Sequence, residues 1–324
     1  MTMNSKSAPL DPAIIFRDWH GDAPIENGLE EAGAGLRSKH PDLASLEADI
    51  PIAPFAARLA ADYDVRQGYG QLKPALKRQA ERLRSVEPDT PTRGWTLALL
   101  HHLIADNSRT PVREALAPEW RDAAARIKTA IRRGGNANYE LDSDIVAKDV
   151  AIALGCVAQI GGRLVDPGAG IPRRIVTTEK PLRVPGTLMH IARMGGFAPL
   201  AEFHTHNVLR HRFTPESWTY AFQRLPALFA ARPDLKGIFG AGWFFDPALE
   251  RIGSNMAFAQ AICRDWGGRA ARIGPGGSVT GLALTLSPER QKLYDDGVYR
   301  PEGWYMIVPK QEIIARAGSG AKRS

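Results

Sequence analysis

Apolar residues recur at helical spacing through most of the stretch from Pro54 to about Gln159. Phe55-Ala-Ala-Arg-Leu-Ala-Ala-Asp-Tyr63 opens it, and Leu72 to Val86, rich in Lys, Arg, Gln and Leu, follows. Trp95-Thr-Leu-Ala-Leu-Leu-His-His-Leu103 and the Trp120, Ala124, Ile127 stripe continue the period expected of helices with one buried face. Asp142 or Ser143 is positioned to cap a last helix through Ile145, Val150 and Ala153.

At Gly161-Gly162 the pattern changes to short β-branched segments separated by Pro and Gly. Arg163–Asp166, Arg174–Thr178, Thr187–Ala192 and Leu200–Val208 read as successive antiparallel strands. Thr214-Pro215-Glu216 is an N-cap, a first-turn proline and an acid, and Trp218, Ala221, Phe222, Leu225, Leu228 and Phe229 recur behind it at helical spacing. Pro226 within that pattern predicts a kink or an early end. Further on, Lys236–Asp246 predicts a strand, Asn255–Asp265 a helix, Arg269–Ile273 a strand, Pro288–Tyr294 a short helix and Trp304–Val308 a closing strand. The fold class is therefore α+β: a helical N-terminal region followed by a mixed, mainly antiparallel sheet with packed helices. The expected organisation is a flexible leader at 1–50, a helical region at 51–160, an α/β sheet domain at 161–316 and a disordered tail at 317–324.

Composition narrows the classes. The chain has 324 residues, 44% hydrophobic and 24% charged, enough to bury a sizeable core. No apolar run approaches the ~20 residues needed to span a bilayer, and Met1 to Lys6 lack the core of a secretory signal, so the expected location is cytoplasmic. Cys156 and Cys263 are the only cysteines and sit in apolar settings, which argues against a disulfide framework or a zinc finger. A formal charge of +7 favours anionic ligands. The basic residues are scattered in pairs and triples, however, so nucleic acid is not the expected partner and a small-molecule substrate is.

The chemistry concentrates in Glu202-Phe203-His204-Thr205-His206, where a strand would project Glu202, His204 and His206 from a single face. His190 and His211 lie nearby, so half of the chain's eight histidines fall between these two positions. A base near neutral pKa on such a strand can remove the proton of an amine nucleophile. An alternative is a metal-dependent enzyme. The His204/His206 pair has Cα atoms about 6.6 to 6.8 Å apart on one strand face, able to reach one Fe or Zn ion with a third ligand from His190, His211 or Asp246. A second alternative is a non-catalytic binding or assembly module using the aromatic run Trp243-Phe244-Phe245 and the helical region.

From Gly161 onward the order is antiparallel strands, a helix, a strand, a helix and two closing strands around one more short helix, and this order resembles that of the GNAT acyltransferases. The resemblance covers roughly the C-terminal half and rests on element order. It implies an acyltransferase acting from an anionic acyl donor, acyl-CoA or similar, onto an amine-containing small molecule. His204 or His206 would be general base and Glu202 the orienting carboxylate. In that family a glycine-containing loop after the corresponding strand holds the donor's pyrophosphate. Here that stretch, Asn207 to Thr214, has no glycine, and Arg210 and Arg212 before the helix N-terminus are the expected anchors for the anion.

Overall fold

The computed structural model describes residues 27–64, 66–86, 92–106, 110–135, 138–285 and 287–321. Its N-terminal half is a pile of helices: α1 (Asn27–Lys39), α2 (Leu43–Asp49), α3 (Ile52–Asp62), α4 (Leu72–Val86), α5 (Arg93–Ala105), α6 (Pro111–Ala115), α7 (Ala117–Arg132) and α8 (Asp144–Ala153). Of the leader expected at 1–50, residues 1–26 lie outside the described residues. Residues 27–49 form α1 and α2, whose Ala32, Leu36, Leu43 and Leu46 are buried in the helical core, so this part is packed rather than flexible. Its Gly- and Ala-rich sequence hides the apolar stripe, since small residues bury without looking hydrophobic. In α4 the buried Leu72, Leu76, Ala80 and Leu83 form one stripe, joined by Gln79, while the Lys, Arg and Glu side chains lie off it. Helix α8 is buried on all sides from Ile145 to Ala153, and the Ser143 hydroxyl caps it by accepting the Val146 N–H at 3.2 Å.

The second half builds one six-stranded sheet in the order β1-β2-β3-β4-β6-β5, with β1 (Ala158–Ile160), β2 (Arg163–Ala169), β3 (Leu200–Thr205), β4 (Gly237–Gly242), β5 (Arg269–Gly274) and β6 (Gly303–Pro309). Every neighbouring pair is antiparallel except β3 and β4. Those two parallel strands are joined by the helix at Pro215–Ala231, as parallel neighbours require a crossover. Strands β3 to β6 fall in the predicted segments, but β3 ends at Thr205 rather than Val208 and β4 at Gly242 rather than Asp246, each giving way to a turn of 3-10 helix at Asn207–Arg212 and Trp243–Phe245. The segments 174–178 and 187–192 do not: they lie in helices, α9 (Ile175–Thr178) and α10 (Val184–Met194). Thr187, Ile191 and Met194 are buried at helical spacing, Pro185 stands in the first turn, and Gly195 at φ 99° ends the helix in the left-handed region. Tertiary packing there overrides the β preference of Ile and Thr.

The remaining helices are α11 (Pro215–Ala231), α12 (Ala248–Arg251), α13 (Phe258–Asp265), α14 (Gly277–Leu284), α15 (Pro288–Asp295) and α16 (Lys310–Ala321). Thr214 caps α11 through its hydroxyl, which accepts the Ser217 N–H at 3.3 Å, and the helix runs through Pro226 to Ala231. Residues 317–321, expected in the disordered tail, continue α16, and 322–324 lie outside the described residues. The boundary expected at 160–161 is not a seam. Strand β1 precedes it, Leu164 and Leu209 join the helical core, and Val112 and Leu116 join the core beneath α11.

Alternation along β3 sorts its side chains. Phe203 faces α11, with its ring 6.1 Å from that of Trp218 and 5.8 Å from that of Phe222. Leu200, Glu202 and His204 face the other way. There Leu200 packs with Ile175 of α9 and with Ile191 and Met194 of α10. At the start of β2, Arg163 is buried beneath Phe213 and Trp218, with its guanidinium 4.1 and 4.5 Å from the ring centres. It also donates to Thr205 Oγ1 at 3.0 Å, so it props the end of β3.

Candidate functional site

Strands β2 and β3 pair with Leu164 opposite His204 and Asp166 opposite Glu202. This register sets two carboxylates side by side on the face turned toward the helical half, an arrangement that disfavours full ionisation of both. Asp166 is 3% exposed and is held by two backbone donors, Tyr69 N–H to Oδ2 at 2.7 Å and Gly168 N–H to Oδ1 at 3.1 Å. Burial raises its pKa, and those donors oppose the rise. Glu202, 26% exposed, is pushed up to about 7, first by burial and then by the neighbouring Asp166 charge, against the pull of Lys148. Glu202 is therefore the carboxyl group that exchanges its proton near neutrality.

His204 Nε2 lies 3.6 Å from Glu202 Oε2 and 4.0 Å from Asp166 Oδ2, is buried, and has no hydrogen-bond partner. Burial, reinforced by the Lys148 charge, brings its pKa down to about 3, so the ring is neutral at pH 7 and these contacts are not ion pairs. Desolvation of the charged ring outweighs the pull of the Asp144 carboxylate, and the Lys73 charge adds to the lowering. The Tyr69 ring meets His204 edge-on at 5.0 Å.

The opposing wall comes from the helical half. Tyr69 donates its hydroxyl to Asp144 Oδ1 at 3.1 Å, and Asp144 lies 2.6 Å from the ammonium groups of both Lys73 and Lys148. Lys148 also donates to the Thr205 carbonyl at 3.0 Å, which ties α8 to the end of β3. Cys156 feels the Asp166 charge, but burial first and that charge second push its thiol up to about 12, so it is not an activated nucleophile. The arrangement is a mostly buried carboxyl group that titrates near pH 7, beside a neutral imidazole and a buried acid, on a strand. It is suited to moving protons.

Not every predicted site residue joins this group. His206 is fully buried beyond the end of β3, where its Nε2 lies 3.0 Å from Asp149 Oδ1 and its Nδ1 accepts the Val208 N–H at 3.4 Å. Asp149 also holds the Arg126 guanidinium, at 2.5 and 3.1 Å, so His206 is part of a buried structural pin between α8 and β3. Arg210 is exposed and bonds Asn207 at 3.2 Å, whereas Arg212 is paired with Asp122 at 2.6 Å. The first turn of α11 is packed against the β1–β2 turn. Gly162 N–H donates to Ser217 Oγ at 2.6 Å, and a Cβ at Gly162 would meet the Arg212 carbonyl oxygen at 2.3 Å. The expected anion position at this helix end is thus occupied by the protein itself.

His190 bonds the Ile307 carbonyl at 3.2 Å, His211 is exposed, and Asp246 accepts the Ala248 and Glu302 N–H groups at 2.9 and 3.1 Å. None of the three joins the histidine pair, and among the described residues no group of three or more His, Cys, Asp or Glu side chains is arranged to hold a metal ion. Sequence reasoning missed Asp166, Tyr69 and Lys148. Asp166 belongs to a predicted strand, but only the register with β3 brings it opposite Glu202. Nothing local marks the other two.

The close approach of Gly68 to Asp166 makes a test of this wall. Gly68 has φ +69°, and a Cβ there would lie 2.6 Å from Asp166 Oδ2, whereas one at Gly70 would meet nothing within 4 Å. Gly68→Ala is expected to lower stability by about 1–3 kcal/mol and Gly70→Ala by much less, as read from urea unfolding midpoints. Equal midpoints would refute the contact. No family model, no curated protein and no solved structure matches this chain.

Proposed function

We propose that the chain is an acyltransferase of GNAT-like type that moves an acyl group from an anionic donor, acyl-CoA or similar, to an amine on a small molecule, with Glu202 as general base. The observation that carries this reading is the Glu202 carboxyl group with its pKa near 7, mostly buried but still reached by solvent on the strand that precedes the main crossover helix. The strand order, with β3/β4 as its one parallel pair and α11 between them, supports the same reading. The roles differ from those expected from sequence. His204, neutral throughout the physiological range, flanks Glu202 at 3.6 Å without serving as the base, and His206 is held by Asp149.

In the reaction, the acceptor amine attacks the acyl carbonyl, its proton passes to the Glu202 carboxylate, and the thiolate of the donor leaves. A base must be unprotonated to act, so the rate rises with pH through about 7. The packed N-terminus of α11 means that Arg210 and Arg212 do not anchor the donor there.

The test is thiol release from short-chain acyl-CoA donors by the purified full chain, with and without a panel of primary amines. Amine-dependent release with a rising limb near pH 7 is expected. Absence of release and of any thermal stabilisation by every donor would overturn the acyl-transfer assignment.

A further inference from the structure

At the sheet edge where β3 and β4 end and β6 begins, a cavity of about 560 Å³ opens between the segment before α10, the start of α12 and the segment leading into β6. Four cations line it: Lys180, Arg183, Arg251 and Arg300. Its two carboxylates are already engaged. Glu302 receives the Arg272 guanidinium at 2.5 and 2.8 Å, and Asp246 accepts the Ala248 and Glu302 N–H groups. Among the described residues, no carboxylate lies within 4.0 Å of the Lys180, Arg251 or Arg300 charge. Such a surplus of positive charge in a concavity attracts anions.

Charge alone would describe many surfaces. Here two buried side chains line the same cavity, Tyr299 at 1% and Trp304 at 5% exposure, and the Tyr299 hydroxyl and the Trp304 Nε1–H are both buried with no hydrogen-bond partner. Buried donors are normally satisfied, and both of these orphans belong to residues that line this cavity. Arg183 lies over the Trp304 ring at 5.2 Å and donates to the Ala270 carbonyl at 3.0 Å, which fixes one cation against the apolar wall. An indole wall, forked donors and unmet hydrogen-bond donors together select an acceptor-rich, multiply charged group.

We infer that this cavity is a binding site for a phosphate-bearing small molecule, held by Arg183, Arg251, Arg300 and Lys180 over the Trp304 and Tyr299 wall. The site is separate from the Glu202 cluster and from the N-terminus of α11. It stands on its own residues whether or not acyl transfer is the reaction.

Calorimetric titration of the full chain with inorganic phosphate and with pyrophosphate tests it. Saturable binding is expected for both, tighter for pyrophosphate, whose extra oxygens reach more of the four cations, with Kd of about 1 mM or below for the latter. Arg251 and Arg300 are exposed, so the R251Q/R300Q pair keeps the fold; it is expected to weaken pyrophosphate at least tenfold, whereas Arg210→Gln, another exposed arginine, leaves the affinity unchanged. No saturable binding by wild type, or the same affinity in the double variant as in Arg210→Gln, would overturn the assignment.

Discussion

Glu202→Gln is expected to reduce turnover by about 10²–10⁴-fold while making the protein melt higher than wild type at alkaline pH. The two effects share one cause. Folding carries the Glu202 pKa from its ordinary 4.5 to about 7, so the folded state binds this proton more tightly than the unfolded chain does. The stability contributed by the raised group is complete below about 4.5 and is lost as pH rises through about 7. Above that the native protein carries a poorly solvated charge beside Asp166, at a cost of about 1–3 kcal/mol. Glutamine keeps the shape and carries no charge, so the variant escapes this cost.

His204 works in the opposite sense. Its folded pKa of about 3 lies below the ordinary 6.5, so its contribution is present above 6.5 and drains away as pH falls toward 3. Because His204 is retained in the Glu202 variant, the difference between variant and wild type isolates the carboxyl group. Urea unfolding at about pH 8 should favour the variant, and the two midpoints should converge near pH 4. A variant no more stable than wild type at the higher pH would mean that Glu202 is solvated and is not the tuned base. A stability gain accompanying loss of turnover is the signature of a group kept at a cost for its chemistry.

The alternation in Glu202-Phe203-His204 was enough to put the carboxyl group and one imidazole on a single face, and the caps at Ser143 and Thr214 were legible because they depend on neighbours only three residues away. His206 was not legible. The strand stops at Thr205, and the partner that fixes the imidazole, Asp149, is 57 residues earlier in the chain. Asp166 was hidden for a related reason: its position opposite Glu202 depends on the β2/β3 register across an intervening pair of helices, α9 and α10, that the β-branched sequence disguised as strands. Arg210 and Arg212 were identifiable as cations before a helix, but the packing of the Gly161-Gly162 turn into that helix end depends on long-range contact. Local periodicity thus supplied the elements and one face of the site, and the wall formed by Tyr69, Asp144 and Lys148 came from tertiary docking of the helical half.

Asp149→Ala is expected to be the most destabilising single change near the site, at about 3–5 kcal/mol. Asp149 and His206 are fully buried and the Arg126 side chain is 10% exposed, so deleting the carboxylate leaves the guanidinium with only its Gln159 bond and removes the partner of the His206 Nε2–H. Burial alone would raise the Asp149 pKa, but Arg126 and His206 outweigh it and hold the group well below its ordinary value. The corresponding stability is therefore present above about pH 4 and is lost as pH falls further, so the gap between wild type and Asp149→Ala should shrink in acid. His206→Ala leaves the Asp149–Arg126 pair intact and should cost less. Because the pin fastens α8 to the end of β3, where Lys148 meets Thr205, both variants should lower activity chiefly through the fraction folded. Turnover divided by folded fraction, taken from the same urea series, separates the two roles of histidine in this strand. A His206 variant with wild-type stability and no turnover would restore it as a catalytic base, whereas lost stability with near-normal turnover per folded molecule leaves that role to Glu202.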